Sequence, residues 1–314
     1  MAFRKNIAWQ YTYTLFLAVA TLLLCQPLTA AAGGAQRTFI SPDKAVSRLV
    51  SAVRAKDTGK LADILGPGYA ELASFGETVA EGLDWQEFLE LYKDKNYIDR
   101  VGPDKALLMV GKQQVQFPFP LIKKGKRWSF DSATGRDEVL NRCVGRGELN
   151  AIQVAHAYVD AQRKYAMEDR DGDGLLAFSQ RFASMPGKKD GLYWKSGAGE
   201  EESLLGPLVA MAAEDVPPVT VNNKPVPYHG YFFRILTAQG DAADGGAYSY
   251  FVKDKMLLGF AMIAYPARYG CSGIMSFIVN QGGAVYQKDL GPDTASVARA
   301  MTAYSPDNSW KKVE

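Results

Sequence analysis

The stretch "VGRGELNAIQVAHAYVDAQRKYAM", Val144 to Met167, decides how the chain is read as a fold. It holds no proline, and its apolar positions recur three and four residues apart. Leu149, Ile152, Ala155 and Val159, continued by Gln162 and Tyr165, fall along one side. Gln153, Asp160, Arg163 and Lys164 take the other, so the spacing predicts one long amphipathic helix. Downstream, aromatic and β-branched runs predict strands at 231–237, 248–253, 257–265, 274–279 and 284–288. Asn280-Gln-Gly-Gly283 supplies a hairpin turn between the last two, and a final helix is expected over 294–302. A long helix lying on an antiparallel meander is an α+β arrangement.

The upstream part has its own helices and strands. Ser41-Pro42-Asp43 opens a helix: Ser41 caps it, Pro42 suits the first turn and Asp43 favours the positive end. Ala45, Val46, Leu49, Val50 and Val53 then share a face. A short helix over 61–65 is expected to stop at Gly66-Pro67-Gly68, and Asp84 with Glu87 starts another over 85–92. Strands are expected at 106–110, 113–122 and 128–131, the middle one weakened by Pro118 and Pro120. The fold expected is therefore α+β with two domains, each with helices packed on an antiparallel sheet. They span residues 38–132 and 136–314, with Ser132-Ala-Thr-Gly135 as the boundary.

Arg4 and Lys5 precede an apolar run over 15–25 that is too short to span a bilayer, and Ala30-Ala31-Ala32 follows Pro27. Residues 1–32 thus read as a signal peptide, which places the mature protein in the periplasm or outside the cell with no stable membrane anchor. Cys25 follows three leucines rather than a small residue, which argues against lipidation. The chain has 36 Lys and Arg against 34 Asp and Glu, and loss of Arg4 and Lys5 leaves 34 of each. Such a balance gives no bulk attraction to nucleic acid. The basic run Lys123–Arg127 lies between strands and reads as a solvated hairpin tip. Cys143 and Cys271 survive cleavage, either as a disulfide or as two separate buried thiols.

Asp169-Arg-Asp171-Gly-Asp173-Gly174 spells the first half of a calcium loop, with oxygens at positions one, three and five and glycine at six. Position twelve is Gln180, where a bidentate glutamate belongs. The run reads either as a calcium site at Asp169, Asp171 and Asp173 or as an Asx-type turn leading into a short helix around 175–182. The densest aromatic and basic cluster is Tyr228, His229, Tyr231 and Arg234 set against Tyr265, Arg268 and Tyr269. Convergent at strand ends, these residues would suit a carboxylate, a sugar or a partner loop. Ser41-Pro-Asp-Lys44 fits a Ser-x-x-Lys pattern without its companion motifs, and no phosphate loop or metalloprotease helix is present.

Between Phe119 and Leu290 the blocks "WSFDSATGRDEVLNR", "GELNAIQVAHAYVDAQRKYA" and "PYHGYFFRILTAQG" resemble a bacterial exported family known only as domain-of-unknown-function family 2950. The resemblance implies export and an α+β architecture and lends no activity. It also implies an arginine at position 143 and an asparagine at 147, where this chain has cysteine and glycine. A Cys143–Cys271 pairing would then be peculiar to this chain. "AVSRLVSAVRAKDTGKLADILGPGY" with "KKGKRWSFD" resembles nuclear-transport-factor-2-like or cystatin-like folds in texture. "AIQVAHAYVDAQRKYA" before a loop and meander is similar to the soluble domain of type IV pilins and pseudopilins. No glutamate stands in residues 33–40, so a filament subunit is not expected. The function expected is a non-catalytic envelope protein that binds a small ligand or another envelope protein. The alternative is a periplasmic hydrolase-like enzyme using Tyr228, His229, Arg234 and Arg268.

Overall fold

The computed structural model describes residues 35–74, 83–170, 172–197, 199–214 and 225–313. The expected signal peptide lies outside the described residues.

Helix α1 (Pro42–Arg54) begins as its sequence directs, with Ser41 Oγ accepting from the Lys44 amide at 3.2 Å. Its buried face is Ala45, Val46, Leu49, Val50 and Val53 together with Pro42 and Ala52. Helix α2 (Thr58–Leu65) ends at Gly66, whose φ of +85° suits glycine. The chain does not run on into a loop there, because Pro67 starts a new helix, α3 (Pro67–Ser74). Proline at a first helical position gives up no needed N–H, so the stop signal also serves as a start. Helix α4 (Trp85–Asp94) is capped by Asp84, whose Oδ1 accepts from Gln86 and Glu87, each at 2.9 Å.

These helices cover an antiparallel sheet of β1 (Asn96–Arg100), β2 (Lys105–Val110), β3 (Val115–Gln116), β4 (Leu121–Lys124) and β5 (Arg127–Phe130). The order is β1-β2-β4-β5, with β3 also on β2. The prolines split the 113–122 run into β3 and β4, and Gly125, at φ +61°, turns the basic hairpin tip. Strand β1 is exposed at all positions but Ile98, so it has no hydrophobic alternation by which to be read. Leu49, Phe119, Trp128 and Phe130 lie at the heart of this first core.

A single 34-residue helix, α5 (Ser132–Tyr165), follows where a linker and then a shorter helix were expected. At about 1.5 Å per residue it runs roughly 50 Å. Asp131 starts it: Oδ1 accepts from the Thr134 amide at 3.2 Å and Oδ2 from Thr134 Oγ1 at 2.9 Å. Gly135, read as part of a boundary, is a packing glycine, since a Cβ there would lie 2.0 Å from Phe119 Cδ1. Val139 and Cys143 complete the first core, while Ala151, Val154, Ala155, Tyr158, Val159 and Tyr165 enter a second. Residues Ala35–Glu314 group by their contacts into one compact unit. Leu149, assigned to the apolar side by spacing, is 64% exposed. It stands two residues, about 200° of helix, from the buried Ala151.

Beyond the short helix α6 (Pro207–Met211) come strands β6 (Tyr231–Leu236), β7 (Ala238–Gln239), β8 (Tyr248–Ser249), β9 (Phe251–Val252) and β10 (Lys255–Met256). They are followed by β11 (Ala261–Pro266), β12 (Met275–Asn280), β13 (Tyr286–Asp289), helix α7 (Thr294–Ala300), β14 (Ala303–Tyr304) and β15 (Lys311–Lys312). The main sheet runs β15-β13-β12-β11-β6, all antiparallel, with Ala264 opposite both Phe233 and Phe277. The turn Asn280–Gly283 closes the β12–β13 hairpin as expected. Residues 175–182 form no helix. Phe178 instead bridges to Met256, and Ser179 is held by buried Gln162, which accepts from its amide at 2.8 Å and donates to its carbonyl at 2.7 Å. The architecture is α+β, with two cores threaded on one helix.

Two glycines of α5 test how tightly that helix is seated. A Cβ on Gly147 would lie 2.3 Å from the Ser272 carbonyl oxygen, whereas one on Gly145 meets nothing within 4 Å. Gly145→Ala should therefore raise stability by up to about 1 kcal/mol through helix propensity. Gly147→Ala should lower it by about 1–3 kcal/mol through overpacking against backbone. Urea unfolding of both variants checks the opposite signs.

Candidate functional site

The tyrosine–arginine cluster singled out in the sequence is divided by the sheet. His229 and Gly230, at φ +46° and +81°, form the tight turn between Tyr228 and Tyr231, which exchange backbone hydrogen bonds at 3.0 Å. Tyr231 is fully buried and donates to the Met275 carbonyl at 2.8 Å. Burial, with the Glu148 carboxylate nearby, pushes its phenol far above the ordinary range. Arg234 points to the opposite face, where its Nη2 donates to the Ala298 carbonyl at 2.7 Å and to that of Met301, closing the end of α7. Tyr265 is buried, and its phenol is raised by burial and by Glu214. Tyr269 donates to Asp289 Oδ2 at 3.1 Å, and Arg268 is exposed on the same loop. The Ala267 amide donates to Gly230 at 2.8 Å and sets this loop beside the His229 turn. Together the two loops seat α5: a Cβ on Gly147 would lie 2.3 Å from the Ser272 oxygen and 3.2 Å from that of His229. Glu148 Oε1 accepts from the amides of Ile274 and Met275, each at 3.0 Å.

Cys143 and Cys271 both stand as thiols packed against the first core. Burial raises the Cys271 thiol, and the positive charge of Arg268 partly offsets this.

The aspartate-rich turn is held by its own backbone. Asp169 Oδ1 accepts from Gly172 at 2.8 Å and from Asp173 at 3.3 Å, and Oδ2 accepts from Gly174 at 2.8 Å. These amide bonds hold the carboxyl below its usual range. Asp173 Oδ1 accepts from the Leu175 amide at 3.0 Å, and its Oδ2 pairs with Lys255 at 2.7 Å. Asp171 lies outside the described residues. Among the described residues no three His, Cys, Asp or Glu side chains gather as metal ligands.

Beside this turn lies a polar cavity of about 440 Å³. One wall is Arg170, the residue inside the aspartate run that carries a positive charge. Its side chain is only 5% exposed, and its Cζ stands 5.1 Å from the Tyr165 ring and 5.0 Å from that of Trp194. Its Nη atoms pair with Glu201 at 3.0 and 3.4 Å and with Glu168 at 3.3 Å. Lys189 adds a contact to Glu201 at 2.8 Å. Hydrogen bonds from Arg170 and then Lys189 draw the Glu201 carboxyl down from the usual 4.5 to about 2. The opposite side is the extended segment 177–181, pinned to α5 through Gln162 and to the β9–β10 turn by Gln180 Nε2, which donates to Asp254 O at 2.7 Å. Besides Phe178 and Arg181 of that segment, Glu168, Leu175, Lys188, Asp190, Asp254 and Lys255 line the cavity. Asp190 is partly engaged by the Met185 amide at 2.8 Å, whereas the Arg181 guanidinium has no hydrogen-bond or ion-pair partner among the described residues.

The model of the family described as a protein of unknown function, DUF2950, matches residues 36–313. The chain belongs to that family. No curated protein and no solved structure matches it, so the narrower likenesses to transport-factor-like folds and pilin domains gain no support from either search. DUF2950 membership brings no activity with it, and the chemistry of the cavity has to speak for itself.

Arg170, Arg181 and Trp194 are the residues that sequence reading missed. The pairing of an arginine with aromatic rings expected at strand ends occurs instead around the last turn of α5. Tyr165, five residues before Arg170, was the one local signal, whereas Glu201 lies 31 residues further on.

Arg170→Met should lower stability by about 1–3 kcal/mol at neutral pH, since charged hydrogen bonds to Glu201 are lost. The carboxyl of Glu201 is depressed in the folded state, so its contribution is complete above about pH 4.5 and is lost as pH falls toward 2. The gap between wild type and variant in thermal unfolding should therefore close across that acid range.

Proposed function

We propose that this chain is exported and acts as a non-catalytic binding protein whose ligand occupies the Arg170–Arg181 cavity. The single observation that carries the reading is Arg181, half-buried and lining a cavity of about 440 Å³, whose guanidinium has no carboxylate partner among the described residues. A guanidinium in that state suits an anionic oxygen pair from outside. Lys188 adds charge at the mouth, while Asp190 and Asp254 present acceptors. A hydroxylated carboxylate, of which an acidic sugar is the simplest kind, offers an anion to the first pair and hydroxyls to the second. Phe178, half-buried in the wall, gives its ring an apolar face to rest on. The cavity volume falls in the usual range for small-ligand sites. Calcium has no part in this proposal, because the oxygens of Asp169 are engaged by backbone amides.

Export rests on the basic start, apolar run and alanine triplet of residues 1–32. A protein partner is the second reading, favoured by Met167 (74% exposed) and Leu176 (59% exposed) on either side of the aspartate turn. The enzyme reading finds less support, since Arg234 closes α7 and His229 is held in a tight turn.

In calorimetric titration glucuronate should bind and glucose should bind at least about tenfold more weakly, the loss expected for one charged contact. Arg181→Gln should remove that preference without moving the melting temperature. Equal binding of the two sugars, or none by either, counts against the ligand. Separately, mass spectrometry of the protein recovered from the envelope fraction should find a mature N-terminus at Gly33. An intact Met1 there would overturn export by cleavage.

A further inference from the structure

The first core contains a second cavity, independent of the one above, and we infer that it is a binding slot for a single-ring carboxylate. It measures about 150 Å³ and opens beside the start of α4. Three rings form its walls. Trp85 meets Phe88 edge-on, with centroids 5.9 Å apart at 88°, and Phe117 stands 5.2 Å from Phe88 and 6.3 Å from Trp85. Leu91 and Val110 also line it, and Val115 lies at the lip, 40% exposed. A volume of about this size accommodates one benzene-sized ring.

The polar groups of the lining are Asp84, Glu87, Gln116, Arg142 and Arg146. Asp84 spends its Oδ1 on the amides of Gln86 and Glu87 as the helix cap. Arg142, reaching across from α5, donates through Nε to Glu138 at 2.7 Å and through Nη2 to the Gln116 carbonyl at 3.0 Å. A guanidinium has five N–H groups, so these two contacts leave others to serve a carboxylate at the lip. Arg146 stands one turn further along the same helix, and among the described residues Glu87 and Asp84 are the acids of the lining. A ring-sized apolar interior with the Arg142 guanidinium in its lining selects a molecule with a ring at one end and a carboxylate at the other. Phenylacetate has that form.

The whole mature protein, titrated with phenylacetate and with its uncharged analogue 2-phenylethanol, provides the test. Intrinsic fluorescence reads the slot directly through Trp85, with Trp85→Phe as the control for signal from other tryptophans. Phenylacetate should bind at least about tenfold more tightly than the alcohol, the ratio expected of one charge-assisted contact. Arg142→Gln should bring the two to within about twofold. Val115→Trp, at an exposed lip where the larger ring costs little packing, should abolish binding of both. Equal affinity for acid and alcohol in the wild type would remove the carboxylate from the inference. Saturable binding that survives Val115→Trp, or no saturable binding at all, would remove the slot.

Discussion

The approach of α5 to the backbone of two loops is the contact on which the second half of the protein depends. At Gly147 the helix comes so near the carbonyls of Ser272 and His229 that no side-chain carbon fits between them. The next residue, Glu148, anchors the start of β12 by accepting from the Ile274 and Met275 amides. A missing side chain and a carboxylate thus act in sequence, one allowing contact and the other fixing its register. The loops so fixed begin β6 and join β11 to β12, and these strands carry the aromatic rows of the second core. Tyr231, lying beneath Gly147, ties the seat to the sheet through Met275.

Much of the architecture was legible because its signals are local. Ser41, Asp84 and Asn280 each set a cap or turn through atoms a few residues away, and the strands with buried alternation stood out. What escaped depended on distant partners. Gly135 reads as part of a domain boundary until Phe119 is brought against it. Pro67 looks like a terminator until it is seen to begin a helix. Strand β1 has no buried face to advertise it, and the extended 177–181 segment is imposed by Gln162 from α5.

The same distinction explains the sites. The tyrosines and arginines at the strand ends are largely engaged in shaping the helix seat and closing α7. The charge that organises the polar cavity sat inside a run whose aspartates drew the eye. Arg170 is made rigid by two rings and two carboxylates, only one of those rings being close by in sequence. Neither two rings on one guanidinium nor a guanidinium without a partner among the described residues has a linear signature.

Because α5 serves both cores without a break, its length is constrained more severely than its composition. Gly135, Val139 and Cys143 present one face to the first core, and the residues from Ala151 to Tyr165 present another, turned by roughly 100° about the axis. One residue inserted or deleted between Cys143 and Ala151 would turn these faces relative to each other by about the same angle. Either the Gly147 seat or the first core would then lose its partner. Exposed positions such as Leu149 leave room for exchange of side chains, but the count of residues along this rod does not. Variation in chain length belongs in the loops, and the helix works as a ruler whose divisions cannot be added to or removed.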